Sequence, residues 1–401
     1  MNVQIKKTDA EEGIISALKS AGANTAILDK GLPTRRVEPF HYTDLRNLLK
    51  SFPAASNSGE ATTVDALIDG ATISFANNAH TGGAFPAGVT GSVLGAPTPV
   101  PADVVIDANI IGDLNEALVA NGVVIDIAPN KHIDEPIILA HNVSGGASSA
   151  LRFAVSLGAG SSATIVEHHT SDGASNHQNT VSNLSLAKDA KVTWVIMQEH
   201  GAETTRLAQL NIHLAQNTDL TILVLNSGGK LVRQEIHMAV QGEGSNVTIK
   251  GVNLIADNMH IDVTTTLAHN APNTNADELF RNVLTGNAKG VFQGQIRVSQ
   301  IAQKTDAKMA CNTLLLSDAA DFSAKPELEI FADDVLCGHG ATVTDIDKNH
   351  LFYLRARGIS EKVARGLLVK AFVEEVFEDL DNEKLGESLN ARIENWLDIN
   401  A

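Results

Sequence analysis

Four stretches of the chain repeat one another: FAVSLGAGSSATIVE from Phe153, SNLSLAKDAKVTWVI from Ser182, LNIHLAQNTDLTILV from Leu210 and EIHMAVQGEGSNVTIKG from Glu235. Each reads as a strand, a polar turn and a second strand carrying a threonine. The threonines are Thr164, Thr193, Thr221 and Thr248, at steps of 29, 28 and 27 residues. Apolar residues flank every one of them: Ala163 and Ile165, Val192 and Trp194, Leu220 and Ile222, Val247 and Ile249. Because side chains alternate along a strand, the flanking residues share one face, where successive repeats can stack them into a continuous core. Two architectures use such a pattern, an antiparallel meander closed into a sandwich and a β-solenoid with one coil per repeat. A sandwich has no reason to hold both turn length and coil length, so the near-constant step favours the solenoid. After Thr248 the period breaks, and HIDVTTTLAHNAPNTNADELFRN, from His260, reads as an insertion before strands resume at KGVFQGQIRVSQ, from Lys289.

The flanks have a different character. AEEGIISALKSAG and YTDLRNLLKSF carry apolar residues at helical spacing, TGGAFPAGVTGSVLGAPTPVPAD from Thr81 reads as a loop, and DVVIDANIIGDLNEALVANG as a short strand followed by a helix. The tail is helical: Asp347 is placed to cap KNHLFYLRAR, Gly358 to stop it, and Ser360 to cap a helix over 361–380. In that last helix Ala364, Leu367, Leu368, Ala371, Phe372 and Val376 form one apolar stripe, with Glu374, Glu375, Glu378 and Asp379 mostly away from it. The expected organisation is a mixed, largely helical region over 1–120, a β-rich core over 121–345 and a helical region over 346–401.

The formal net charge of −17, from 30 Lys and Arg against 47 Asp and Glu, disfavours sequence-independent binding to nucleic acid or to anionic membranes. Two cysteines cannot build a disulfide framework, and the opening MNVQIKKTDAEEG is too charged for a signal-peptide core, so a cytoplasmic chain with reduced thiols is expected. No apolar run approaches the ~20 residues that span a bilayer. SGGKLV, at Ser227, lacks the spacing and hydroxyl of a P-loop, so nucleotide chemistry would have to come from another subunit.

The most chemically suggestive stretch is LEIFADDVLCGHGATV, from Leu328, where Cys337 and His339 stand two residues apart among glycines. On a strand Val335, Cys337 and His339 fall on one face, so thiolate and imidazole can reach one ion; both suit zinc, iron and iron-sulfur species. Two ligands leave such a site incomplete, and Cys311 or a second polypeptide could add to it. A Cys–His nucleophile pair is less favoured, because i and i+2 neighbours stand roughly 6 to 7 Å apart at their Cα atoms. Asp333 and Asp334, adjacent in sequence, should point to opposite faces, against a paired-carboxylate site. His168, His169, His200, His213 and His237 lie in or at the ends of strands, the last two at outward positions where solvation is the default. Arg355 and Arg357 read as helix-surface or helix-end charges.

The run from Lys325 to Val376, which contains CGHGAT and LFYLRARGI, resembles the SufB/SufD family of iron-sulfur cluster assembly proteins, and its SufD branch more than its SufB branch. AQKTDAKMACNTLLLSDAADFSAKPELEI, GVFQGQIRV and the stretch from His260 extend the resemblance upstream, and TRRVEPFHYTDLRNLL, from Thr34, is similar to the family's N-terminal motif. The resemblance implies a right-handed parallel β-helix flanked by helical N- and C-terminal regions. It further implies a non-enzymatic scaffold that pairs with a SufB paralogue and binds the ATPase SufC through the helical tail, at Leu367, Leu368, Ala371 and Phe372. His339, with Cys337 its neighbour, would face SufB where an iron-sulfur cluster is assembled, held transiently and shared rather than tightly bound. An exposed solenoid end also allows a homodimer when the paralogue is absent. Two other readings remain open: a solenoid carbohydrate-active enzyme, for which 4% aromatic residues are few to stack sugars, and a stable metalloprotein ligated by Cys337, His339 and Cys311.

Overall fold

The computed structural model of the protein describes residues 6–57, 67–94, 101, 103–377, 380 and 382–400. Three strands come first, β1 (Ala71–Ala76), β2 (Ala79–Gly83) and β3 (Val89–Leu94). Sixteen more follow: β4 (Asn121–Ile127), β5 (Ile137–Val143), β6 (Ser148–Leu157), β7 (Ser162–Ser171), β8 (His177–Leu186), β9 (Lys191–His200), β10 (Thr205–Leu214), β11 (Asp219–Gly228), β12 (Leu231–Val240), β13 (Asn246–Ile255), β14 (His260–His269), β15 (Asn275–Leu284), β16 (Lys289–Val298), β17 (Asp306–Leu315), β18 (Asp321–Ile330) and β19 (Leu336–Thr344). From β4 to β17 each strand pairs in parallel with the one two places after it. The even strands therefore build a first sheet and the odd strands a second, and the chain winds as a β-solenoid of eight coils.

The register places Ile165, Trp194, Ile222 and Ile249 in one column, with Thr164, Thr193, Thr221 and Thr248 in the next. The isoleucines and Trp194 point into a closed apolar lumen, whereas the threonines point outward and are half-buried. Beyond Thr248 the column continues through Asp277, Lys308 and Gly338. The stretch from His260 is thus not an insertion: it forms β14 and β15, and only the threonine marker is lost. Outward positions are free to change residue type while the inward pattern keeps the coil.

Coil length is kept by the turns. Asn130, Gly160, Asp189, Asn217, Gly244 and Asn273 all have positive φ, and each donates its N–H to a carbonyl in the next coil's turn. Asn, Asp and Gly are the residues that enter this region at least cost, which is why they recur at the repeat interval.

Parallel strands are buried on both faces, and here flanking segments supply the outer cover. On the second sheet, Val195, Leu223, Leu225, Val252 and Leu254 pack against the C-terminal helices α5 (Glu361–Glu374) and α6 (Glu383–Asn400). Between sheet and tail runs α4 (Lys348–Ala356), capped by Asp347, whose carboxylate accepts from the Asn349 and His350 amides. Gly358, at φ 86°, turns the chain after α4 and Ser360 caps α5, as expected; α5 stops at Glu374, α6 was not foreseen, and Glu378 and Asp379 lie outside the described residues. No helix among the described residues is long and apolar enough to cross a membrane.

The N-terminal segment covers the first sheet. Helices α1 (Asp9–Ser20), α2 (Leu45–Leu48) and α3 (Ile110–Leu118) share a small core with Leu207 and Leu231. The loop expected from Thr81 instead holds most of β2 and all of β3; β3 pairs antiparallel with β4, and β1 pairs in parallel with β5, closing the N-terminal end of the solenoid. Residues 95–100 and 102 of that loop lie outside the described residues. The strand expected before α3 does not form, and Asp103 instead meets His213 at 2.6 Å.

The cover also buries charge. Arg233 is fully buried between Glu235 and Asp262, stacks on Phe40 at 4.2 Å and donates to the Pro39 carbonyl. Burial opposes ionisation of Glu235, but Arg233 and His237 outweigh it and hold the carboxyl down at about 2. The Thr43 hydroxyl donates to Asp262 and lies 2.9 Å from His260 Nε2. Thr43→Ala should cost about 1–3 kcal/mol by removing one donor from Asp262, which keeps Arg233, and by leaving the buried His260 Nε2 without its partner, and should speed proteolysis of the N-terminal segment while the solenoid stays intact. An unchanged cleavage rate would show that the apolar contacts alone fasten it.

Candidate functional site

The solenoid is closed at one end and open at the other. β18 is the last strand of the first sheet and β19 of the second, and no described strand pairs with their outer edges. Side chains of β19 are exposed or half-buried throughout, Leu336 being 71% exposed. Asp333 and Asp334 lie in the exposed turn between β18 and β19 rather than on a strand, and Asp334 pairs with Lys304.

Cys337, His339 and Ala341 stand in register with Ala307, Met309 and Cys311, which are buried in the lumen. The face expected from alternation is therefore the inner wall of the last coil, left uncapped because no further described strand pairs with β19. Cys337 is half-buried, and burial raises its thiol pKa; a hydrogen bond with the Ala307 backbone pulls the other way and the Asp306 charge adds to the rise. The thiol is thus protonated at rest and releases a proton when it ligates. His339 is exposed. At Gly338 and Gly340 an added Cβ would meet nothing within 4 Å, so the outer face of β19 is bare backbone that another chain can approach closely.

Sulfur and imidazole on one wall suit iron and iron-sulfur species. Cys311 does not complete the set. It lies one coil deeper with its sulfur 3.3 Å from Asn282 Nδ2, and burial pushes its thiol up to about 12. Among the described residues no group of three or more His, Cys, Asp or Glu is placed to hold a metal ion. The donors fit iron in kind and fall short in number, so further ligands have to come from a second molecule or from the cargo itself.

The tail presents a second surface. The expected stripe on α5 divides between two faces: Leu368 and Phe372 pack toward the second sheet with Ala364, Val369 and Val373, and Arg281 lies 4.6 Å over the Phe372 ring. Leu367, 46% exposed, and Ala371 look outward instead. Val363 shares that exposed face of α5, and Phe352 (73% exposed) and Tyr353 on α4 are exposed as well. Helical periodicity locates an apolar arc; it cannot say which edge of that arc a neighbour covers.

The outward histidines depart from expectation. His237 is only 4% exposed, held between Glu235 and Thr266 of its own sheet, and His213 is half-covered by Asp103. His169 and His200 point into the lumen, and His168 pairs with Glu199 at 3.1 Å.

Residues 139–372 match the family model described as SUF system FeS cluster assembly, SufBD core domain. The chain is 30% identical over 386 residues, 92% of its own length and 90% of the relative's, to the iron-sulfur cluster assembly protein SufD of Escherichia coli. It is 32% identical to the SufBD family protein slr0076 of Synechocystis, over 50% of this chain and 45% of that one. It is 26% identical to ABCI7, a chloroplastic protein of Arabidopsis thaliana, over 55% of this chain and 46% of that one. The matched span runs from the first coil through the open end into α5, so it takes in both the Cys337–His339 wall and the exposed helical face, and the chain belongs to the SufB/SufD family of iron-sulfur cluster assembly proteins.

Proposed function

We propose that the chain is a scaffold subunit without catalytic activity of its own, completed at the open end of its solenoid by a SufB paralogue. The observation that carries this is the uncapped last coil: two unpaired strand edges beside an inner wall bearing a thiol and an imidazole. Unpaired edges invite strand addition from another chain. A cluster that must be handed on is served by a site lacking ligands until two subunits meet. We infer further that α5, through Leu367 and Ala371 on its outer face, docks the ATPase SufC, while Leu368 and Phe372 hold the helix on the sheet.

The test is co-purification with SufB and SufC followed by anaerobic reconstitution with iron and sulfide. His339→Ala should leave the melting temperature unchanged, since the side chain is exposed, and lower the cluster content of an intact complex. Equal cluster content in parent and variant would remove His339 from the site. Ala371→Asp places a charge on an exposed helix face, so stability should hold while SufC retention falls; a large loss of melting temperature with retention intact would mean the face is structural.

A further inference from the structure

The ionisable side chains lining the lumen mostly have partners. Glu167 meets His169 and Trp194, Arg206 meets Gln178 and Gln234, and Cys311 meets Asn282. Glu278 is the exception: it is 1% exposed, no residue forms an ion pair with it, and its polar neighbour, the buried Thr265 hydroxyl, is not aligned with either carboxyl oxygen for an ordinary hydrogen bond. Its position is specific, because the register runs Ile249, Glu278, Met309, His339 along one inner column. With adjacent strands ~4.8 Å apart, Glu278 lies about 10 Å behind His339 with only Met309 between. A buried carboxyl without partners is costly and calls for an explanation.

We propose that Glu278 is a charge-compensating proton site for the open end: a cation held at Cys337 and His339 displaces the carboxyl proton to solvent, and the carboxylate left behind stabilises the cation. This rests on the assignment of the open end as the assembly site. The step is balanced, one proton leaving as positive charge arrives and no electron moving.

The surroundings suit that role. Burial pushes the carboxyl up to about 7, with the nearby Thr265 hydroxyl drawing it back and the Asp277 charge adding to the rise, so both forms are populated at neutral pH. The other groups around it are neutral: Ile249 and Met309 in its own column, and the Cys311 thiol. Arg281, on the same strand, pairs with Glu375 outside the sheet. Among the described residues no cation in the lumen acts on Glu278, which leaves the open end as the place from which its charge can be answered. A unit charge ~10 Å away, at an effective permittivity of ~20, is worth about tenfold in binding.

The experiment uses the complex with SufB and SufC, loaded anaerobically with Fe(II) alone, and compares parent, Glu278→Gln and His339→Ala. Proton release is read in weakly buffered solution at pH 7, and the carbonyl stretch of a protonated carboxyl by infrared difference spectroscopy. Parent should release about half a proton per iron more than Glu278→Gln and bind iron about tenfold more tightly. The carboxyl band should vanish on loading in the parent and be missing from the variant. At pH 8 Glu278→Gln should melt no lower than parent, because a raised carboxyl pKa costs stability as pH rises above the unfolded value. If Glu278→Gln matches the parent in affinity and proton count while His339→Ala loses iron, the coupling is overturned and the site stands. If His339→Ala binds iron like the parent, the site assignment falls and the coupling with it.

Discussion

Replacing Ile222 by Asp should abolish cooperative folding of the solenoid at neutral pH. Ile222 is fully buried in β11, stacked between Trp194 in the coil before and Ile249 in the coil after. The substitution removes a large apolar side chain, worth about 2–5 kcal/mol with its cavity, and puts a carboxylate in its place. Burying an unpartnered polar group costs about 2–7 kcal/mol more, and an ionised one would have to protonate to remain. Each coil contacts only its neighbours, so a fault in the middle of the stack also uncouples the coils on either side. The control is Thr221→Asp one position away, where the side chain points outward and is half-buried; it should cost far less. Urea or thermal unfolding followed by circular dichroism separates the two. If Ile222→Asp were as stable as Thr221→Asp, the assignment of inward and outward columns would be wrong.

That contrast also marks what the sequence could disclose. Alternation plus a fixed step sufficed for the lumen, since Ile165, Trp194, Ile222 and Ile249 had to share a face and the turns had to recur. The same rule put Cys337 and His339 on one wall. It could not show that the wall is inward and uncapped, because that depends on where the stack ends. The outer faces were harder to read. Arg233 and Asp262 look solvated in a strand pattern, yet Pro39 and Thr43, some 190 residues or more earlier in the chain, lie against them. A local signal did exist on the second sheet: TILVLN, from Thr221, is apolar at both parities, as a strand covered on both faces should be. On the first sheet only Leu207 and Leu231 join the apolar core of the cover, and ion pairs and hydrogen bonds to Arg233 and Asp262 hold the rest, so no apolar run announced it. The column Glu278–Met309–His339 was illegible for a related reason: with the stretch from His260 read as an insertion, Glu278 had no register.

Lowering the pH from 8 to 5 should destabilise the chain severely, and histidines make it so. His141, His169 and His200 are fully buried in the lumen; burial above all, and the positive charge of Arg206, hold their pKa values well below the ordinary 6.5. Coulombic coupling among the rings adds to this, His141 and His169 lying 5.9 Å apart centre to centre. Burial alone takes His177, packed 4.5 Å from the Phe52 ring, to about 3, and His269 to about 4. In the unfolded chain all five titrate near 6.5, so below that pH the unfolded state binds protons that the folded state refuses. Their contribution to stability is therefore complete above 6.5 and is lost as pH falls from there towards the folded values. Each group loses about 1.4 kcal/mol per pH unit, so five together amount to on the order of 10 kcal/mol by pH 5, comparable to the whole stability of an ordinary domain. Glu167, Glu278 and Asp113 work in the opposite sense, since burial raises their carboxyl pKa values and protonation relieves them, but they are outnumbered by the five histidines and His260, which burial also lowers. Unfolding midpoints measured at pH 8, 6.5, 6 and 5 should hold level down to about 6.5 and then drop steeply, with His177→Gln, which removes one titrating group at the edge of the N-terminal cover, dropping less steeply than the parent. A midpoint that stays flat to pH 5 would mean that the lumen admits the charged rings, through water or rearrangement, and would contradict the dry, tightly stacked coil on which the first prediction also depends.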